Sequence, residues 1–284
     1  MINNTVDLHV HSTASDGTLT PSQLAEYAKE KGLRAAALTD HDTVDGISEF
    51  AERCIQLGIE PIAGVEISAR YKCEMHIVGL FVDAGNTDFC SKLKELKNAR
   101  LIRNEKMLKL LEEHGMPIST ESLLSQKENC TLESIGRPHM ARAMVEHGYV
   151  KDIGEAFDKY LGQGESCYVK RITYSPEDSI KLIKQAGGLA ILAHPIYITE
   201  DKNALFTLLK ELKGYGLDGM ECFYSTYTQN FSQLCLSLCN ELDLLPSGGS
   251  DFHGDNKKDI DLGCVNIPYD VLENMKKYLS SHSV

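Results

Sequence analysis

Three short apolar runs near the start of the chain, residues 5–10, 33–39 and 59–67, are separated by stretches long enough, and suitably patterned, for one helix each. Strand–helix–strand–helix–strand in that order implies parallel pairing through right-handed crossovers, which makes the chain α/β. Thr20-Pro21 starts the first helix with a side-chain cap and a ring already at helical φ, and Gly32 stands just past its end. Gly58 closes a second helix over 44–57 in the same way. The next run cannot continue the alternation. Between Glu66 and His76 there are too few residues for a crossover, which takes a dozen or more. Residues 76–82 must therefore return antiparallel, with their first residues beside the last residues of the third strand.

From residue 89 the character changes. A long polar helical pattern reaches about His114, followed by a Ser/Glu-rich stretch and shorter helical segments at 138–146 and 152–160, with no buried-strand signal before Tyr168. The rhythm then resumes with strands at 189–193, 217–223 and 244–247, alternating with helices at 176–185, 204–213, 229–242 and from 268. About seven strands wrapped by helices predict a closed or nearly closed barrel. It is formed by residues 1–88 and 174–284, with a mainly helical insertion at 89–173.

Charge narrows the partners. Lys and Arg number 29 against 41 Asp and Glu, a net −12, which argues against broad binding to duplex DNA or to anionic membranes. A small anionic substrate held by a local cationic site remains compatible. No run of 18 apolar residues occurs and the N-terminus lacks signal-peptide character, so no membrane association is expected. Nine cysteines without paired spacing read as reduced thiols in a cytoplasmic protein, with Cys235 and Cys239 as helix packing.

Six of the ten histidines fall next to predicted strand ends. His9 and His11 flank Val10 with Asp16 close behind; on one strand they project to the same face and can converge on a cation. A single strand histidine is more often a hydrogen-bonded core residue, but the remaining clusters shift that balance. Thr39-Asp40-His41-Asp42 follows the second strand, Glu66 ends the third, and His76 begins the reversed one. Ala193-His194-Pro195 and Ser250-Asp251-Phe252-His253 follow later strands, the latter repeating the i, i+2 spacing. In a parallel barrel these positions gather at the C-terminal rim, where barrel active sites form. Asp7, Asp40, Asp42 and Asp45 read either as carboxylates orienting imidazoles or as caps for backbone groups. His114, His147 and His282, in polar helical or terminal context, read as solvated.

This combination of Asp7-Leu8-His9-Val10-His11-Ser12, Thr39-Asp40-His41-Asp42, Gly64-Val65-Glu66, His76, Ala193-His194-Pro195 and Ser250-Asp251-Phe252-His253 resembles the polymerase-and-histidinol-phosphatase (PHP) superfamily. The resemblance covers the chain outside the insertion and implies a distorted (β/α)7 barrel. It also implies metal ligands at His9, His11, Asp16, His41, Glu66, His76, His194, Asp251 and His253. The sharing it implies is His9, His11, Glu66 and Asp251 on one ion, Asp16, His41 and His253 on a second, and Glu66, His76 and His194 on a third. Two or three divalent ions are expected, and mixed imidazole and carboxylate ligation suits Mn, Zn or Fe without choosing among them. Three such ions bring roughly +6 against roughly −3 from the carboxylates, a surplus of about +3 that matches a phosphate ester. The expected mechanism is attack by a metal-activated hydroxide, with no serine or cysteine nucleophile.

Within the insertion, Gly136-Arg137-Pro138-His139-Met140-Ala141-Arg142 places Arg137 and His139 at a helix N-terminus with Arg142 on the same face, which fits either an anion site or surface ion pairs. The run is similar to a PHP subgroup that removes the 3′-phosphate from nucleoside 3′,5′-bisphosphates, with relatives that trim short oligonucleotides from the 5′ end. By that resemblance Arg137, His139 and Arg142 bind substrate. Lys170 and Arg171 would add charge, while Tyr149, Tyr160 and Tyr168 read as packing or as base-stacking residues. A histidinol-phosphate phosphatase, a noncatalytic polymerase-associated module, and an amide- or ester-cleaving hydrolase are the competing expectations.

Overall fold

A computed structural model describes residues 4–124, 135–171 and 173–282, which fall into two compact units, Met1–Lys92 with Thr173–Val284 and Leu93–Ile172. In the first, eight strands form one sheet in the order 7-6-5-4-3-2-1-8. They are β1 (Thr5–Val10), β2 (Ala35–Leu38), β3 (Glu60–Arg70), β4 (Glu74–Leu80), β5 (Leu189–Leu192), β6 (Gly219–Tyr224), β7 (Leu245–Gly249) and β8 (Ile267–Pro268). The two-residue β8, too short to leave a pattern in the sequence, pairs antiparallel with β1 at Thr5 and Val6. β4 runs antiparallel to both β3 and β5, as the short Glu66–His76 spacing requires. The remaining neighbours are parallel.

The helices of this unit are α1 (Pro21–Glu30) and α2 (Ile47–Leu57), the first turn of α3 (Thr87–Glu113), and, beyond the insertion, α7 (Pro176–Gln185), α8 (Lys202–Tyr215), α9 (Gln229–Leu242) and α10 (Tyr269–His282). Thr20 and Gln23 form a reciprocal capping box at α1, and Ser175, Asp201 and Thr228 each accept a backbone N–H at the start of α7, α8 and α9. The second unit holds the rest of α3, with α4 (Thr120–Leu124), α5 (Arg137–Glu146) and α6 (Ile153–Ala156), the last continued by a wider turn over Phe157–Leu161. Met107, Leu111, Leu123, Ile135, Met140 and Met144 make its core. The unit boundary falls inside α3, between Lys92 and Leu93, and Phe89 in the first turn is buried. Residues 125–134 of the Ser/Glu-rich stretch lie outside the described residues.

Two features of the barrel prepare the site. Its inner cluster takes alternate residues from successive strands, including Val6 and Leu8, Ala35 and Ala37, Val78 and Leu80, and Leu189, Ile191 and Ala193, with Tyr269, Leu272 and Met275 of α10. Val6 pairs with Ala35, but Val10 pairs with Leu38, so β1 gains one residue on β2 between Asp7 and Val10. Such a bulge reverses which side chains face inward. His9 and His11 thereby join the inner face, to which Glu66, Val78 and His76 also belong by register. Second, the ring closes at one end only. The Asp251 N–H donates to the His9 carbonyl at 2.9 Å and the His11 N–H to the Phe252 carbonyl at 3.0 Å, while β8 occupies the opposite end of β1.

Candidate metal centre

All nine expected ligands lie around the closed rim. Glu66 is the hub. Its Oε1 is 2.8 Å from His76 Nδ1 and 3.0 Å from His194 Nε2; its Oε2 is 3.0 Å from His41 Nδ1, 3.3 Å from His11 Nε2 and 3.4 Å from His9 Nε2. Asp251 Oδ1 lies 3.3 Å from both His11 Nε2 and His253 Nδ1 and 3.7 Å from His9 Nε2. Asp16 lies 3.3 Å from His253 Nε2, 3.7 Å from His41 Nε2 and 3.8 Å from His11 Nδ1. Three groups have donor atoms all within 4.8 Å of one another: His9, His11 and Asp251; His11, Asp16, His41 and His253; and His41, Glu66 and His76. His11 and His41 thus sit between groups that the sequence reading kept apart. His194 reaches the third group through Glu66 and through His76 Nδ1, 3.3 Å away.

The backbone shows how tightly the rim is specified. Asp42, His194 and Asp251 adopt φ of 54°, 28° and 58°, a left-handed region that costs non-glycine residues energy and collects at functional sites. Asp251 and His253 therefore owe their common direction to a turn after β7 rather than to strand alternation. His76 is the third residue of β4, opposite Ser68, and reaches Glu66 diagonally across the ladder.

The side chains that touch the expected ligands include three absent from the sequence reading, a carboxylate, a phenol and an ammonium. Glu221, on β6, accepts from His9 Nδ1 at 2.8 Å and, with its other oxygen, from the His194 backbone N–H at 2.6 Å. That bond places the His9 proton on Nδ1 and leaves the Nε2 lone pair for a cation. An acidic residue inside an otherwise apolar strand is a usable sequence signal, since buried acids are rare without a partner. Tyr224 donates to Asp251 Oδ2 at 2.6 Å, and the Lys257 ammonium meets the same oxygen, which turns Oδ1 toward the imidazoles. Neither residue carries a pattern that would mark it in the sequence. Asp7 caps the Ser250 and Gly263 amides, Asp42 receives the Ser68 amide, and the Asp45 amide donates to Thr43. Asp40 accepts from the Ser12 amide and hydroxyl and from Ser15, whose Oγ is 3.5 Å from His11 Nδ1.

Burial alone would push His9 and His11 down. The surrounding carboxylates instead hold His9 well above the ordinary imidazole value and bring His11 to about 9. At His41 and His253 burial prevails, lowering the first and taking the second to about 4. Burial would raise Asp16, Glu66 and Asp251, yet the imidazoles, with Lys257 at Asp251, hold all three well below the usual carboxylate range. Negative potential is therefore concentrated where the imidazoles meet.

The donor chemistry fits divalent cations. His9 Nε2 and His11 Nε2 face each other at 3.1 Å, and His41 Nδ1 approaches Glu66 Oε2 without hydrogen-bond geometry. Nitrogen and oxygen atoms crowded in this way suit donors that share an ion at about 2.0–2.2 Å once their protons are displaced. Six of the nine residues line a pocket of about 170 Å³, joined by Tyr197 and Lys257.

The residues expected to bind substrate lie in the helical unit. Arg137 opens α5 after Gly136, about 5.7 Å from the Phe157 ring and 5.8 Å from that of Tyr168. His139 is buried and its Nδ1 accepts the Gly136 N–H at 3.1 Å, while Arg142 is half-buried. The Tyr149 hydroxyl donates to the Pro117 carbonyl, and Tyr160 packs on the unit's core. Lys170 is exposed and Arg171 half-buried. His114, His147 and His282 are exposed and hydrogen-bond carbonyls of their own helices. Cys235 and Cys239 are buried, the latter with Sγ 3.4 Å from that of Cys222. No helix among the described residues is long and apolar enough to cross a membrane.

A family profile described as the PHP domain matches residues 7–215. The chain belongs to the PHP family. Within that family it is 38% identical over 248 residues to a 5′-3′ exoribonuclease of Haemophilus influenzae, covering 87% of this chain and 89% of that one. It is 33% identical over 259 residues to a 3′,5′-nucleoside bisphosphate phosphatase of Chromobacterium violaceum, covering 91% and 90%. The solved structure of an amidohydrolase from Chromobacterium violaceum, with bound sulfate and no metal, superimposes with a TM-score of 0.85 at 32% identity over 96% of each chain. This PHP protein is a metal-dependent phosphoesterase.

Proposed function

We propose that the chain hydrolyses the phosphate ester at O3′ of a nucleotide that carries a 5′-phosphate. Nucleoside 3′,5′-bisphosphates are the small substrates and short oligoribonucleotides, taken from the 5′ end, the larger ones. The observation that carries the hydrolytic reading is the gathering of six imidazoles and three carboxylates at one rim, five of the imidazoles on Glu66. The nucleotide reading is supported by the names of the two relatives, whose reactions share a single bond. Water added across P–O3′ of a bisphosphate releases inorganic phosphate; added across the same bond of an oligonucleotide, it releases the terminal nucleotide. In both, the leaving group is the 3′-hydroxyl of a nucleoside 5′-phosphate.

His9, His11 and Asp251 would hold one ion, Asp16, His41 and His253 a second, and His76 and His194 a third, with Glu66 between the first and third. When bound, such ions supply a water acidified to near neutrality and a positive field for the phosphoryl oxygens. Glu221 keeps the His9 lone pair directed inward, and Tyr224 with Lys257 fixes the Asp251 carboxylate. In the helical unit, Arg137, His139 and Arg142 are the proposed partners of the second phosphate.

The test is a panel of 3′,5′-bisphosphoadenosine, histidinol phosphate, a 5′-phosphorylated trinucleotide and an amide substrate, assayed with Mn, Zn and Fe. The first and third should turn over, and His11→Ala or Asp251→Ala should abolish turnover and lower metal content. Preference for histidinol phosphate or the amide, or full activity in either variant, overturns the reading.

A further inference from the structure

Among the described residues, the pocket wall contains only two side chains that are not expected ligands, Tyr197 and Lys257. Lys257 is committed to Asp251. Tyr197 is different: it is 57% exposed, and it is the one aromatic ring among the large hydrophobic side chains left open to water in the described residues. Its position is nonetheless firm. Pro195–Tyr197 forms a short 3-10 turn directly after His194, with the Tyr197 N–H donating to the His194 carbonyl at 3.1 Å. The ring centre stands 5.4 Å from that of His194 and meets the buried Tyr224 edge-on, 6.0 Å away at 89°. A ring braced from two sides has little conformational freedom left to lose when a flat partner covers it, and every nucleobase offers a flat partner.

We propose that Tyr197 is the stacking platform for the planar base of the substrate, so that the pocket selects phosphate esters carrying an aromatic ring next to the reacting phosphate. This deepens the nucleotide reading above and rests on it for the reaction, though not for binding. Tyr197 is a specificity residue: it touches the base and is not itself one of the expected ligands.

The experiment crosses two enzymes with two substrates. Wild type and Tyr197→Ala are assayed on 3′,5′-bisphosphoadenosine and on its base-free counterpart, a 1-deoxyribose 3,5-bisphosphate. Binding of adenosine 5′-phosphate and of ribose 5-phosphate is measured in parallel by calorimetry on the metal-loaded proteins. Tyr197→Ala should lose roughly 5- to 150-fold in kcat/KM on the nucleotide, the range that base–aromatic stacking spans. It should lose little on the base-free compound and keep its metal content, and Tyr197→Phe should retain most of the wild-type preference. Equal losses on both substrates, or a wild type indifferent to the base, overturn the proposal. If neither bisphosphate is hydrolysed but Tyr197→Ala still abolishes the advantage of adenosine 5′-phosphate over ribose 5-phosphate, the platform stands and the reaction assigned above falls.

Discussion

Glu221 touches two of the expected ligands by different means, the ring of His9 and the backbone of His194. Removing its carboxylate should leave the His9 proton free to move between nitrogens and the His194 amide without its acceptor. Glu221→Ala is expected to weaken metal binding by about 10- to 100-fold, with Glu221→Gln closer to wild type because it still accepts a hydrogen bond. Competition against a metal-sensitive dye measures this, and unchanged affinity in Glu221→Ala would rule out an orienting role. His11 makes a second prediction. With its pKa near 9 in the metal-free protein, it carries a proton at pH 7.5 that a cation must displace, because only the neutral ring can ligate. Metal binding should therefore release protons and weaken as pH falls from 9 toward 6. Calorimetry in two buffers of different ionisation enthalpy reads the proton count directly; a count of zero contradicts the assignment.

The elements of the rim owe their places to two devices, the bulge in β1 and the close approach of β1 to β7. A side chain at Gly249 would put its Cβ 2.3 Å from His9 Cβ and 2.5 Å from His9 N, whereas one at Gly58 would meet nothing within 4 Å. Gly249→Ala should thus destabilise the fold by about 1–3 kcal/mol and also lower metal content, since it displaces His9. Gly58→Ala, at φ 72°, should cost only about 1 kcal/mol of backbone strain and keep its metal. Thermal unfolding with elemental analysis separates the two, and equal metal retention would mean that the approach to His9 is not critical. At this scale the helices and the reversed β4 were legible in advance, because loop length, caps and apolar period are local. The bulge was not: strict alternation already seemed to place His9 and His11 on one face, and only pairing with β2 shows which face points inward.

For the molecule as a whole, an acidic chain of net −12 is expected to act on an anionic substrate, so long-range repulsion opposes the encounter and short-range cations must overcome it. Raising salt from 50 to 200 mM should leave kcat/KM on a bisphosphate or short oligonucleotide unchanged or somewhat higher. A protein that grips nucleic acid through many phosphate contacts loses about 10³–10⁵ in affinity over that range, and a fall of that size would point to an extended basic surface instead. The amino-acid order by itself determined most of the strands and helices, that β4 must run backwards, and which side chains can donate to a cation, since each of these depends on neighbours a few positions away. Folding decided that Glu66 is the hub, that His11 and His41 stand between donor groups, and that Glu221, Tyr224 and Lys257 touch the expected ligands. Those contacts join residues more than 200 positions apart, such as His9 and Glu221 or His11 and Asp251, and whether such side chains meet is settled by strand register and backbone closure, which local patterning does not encode.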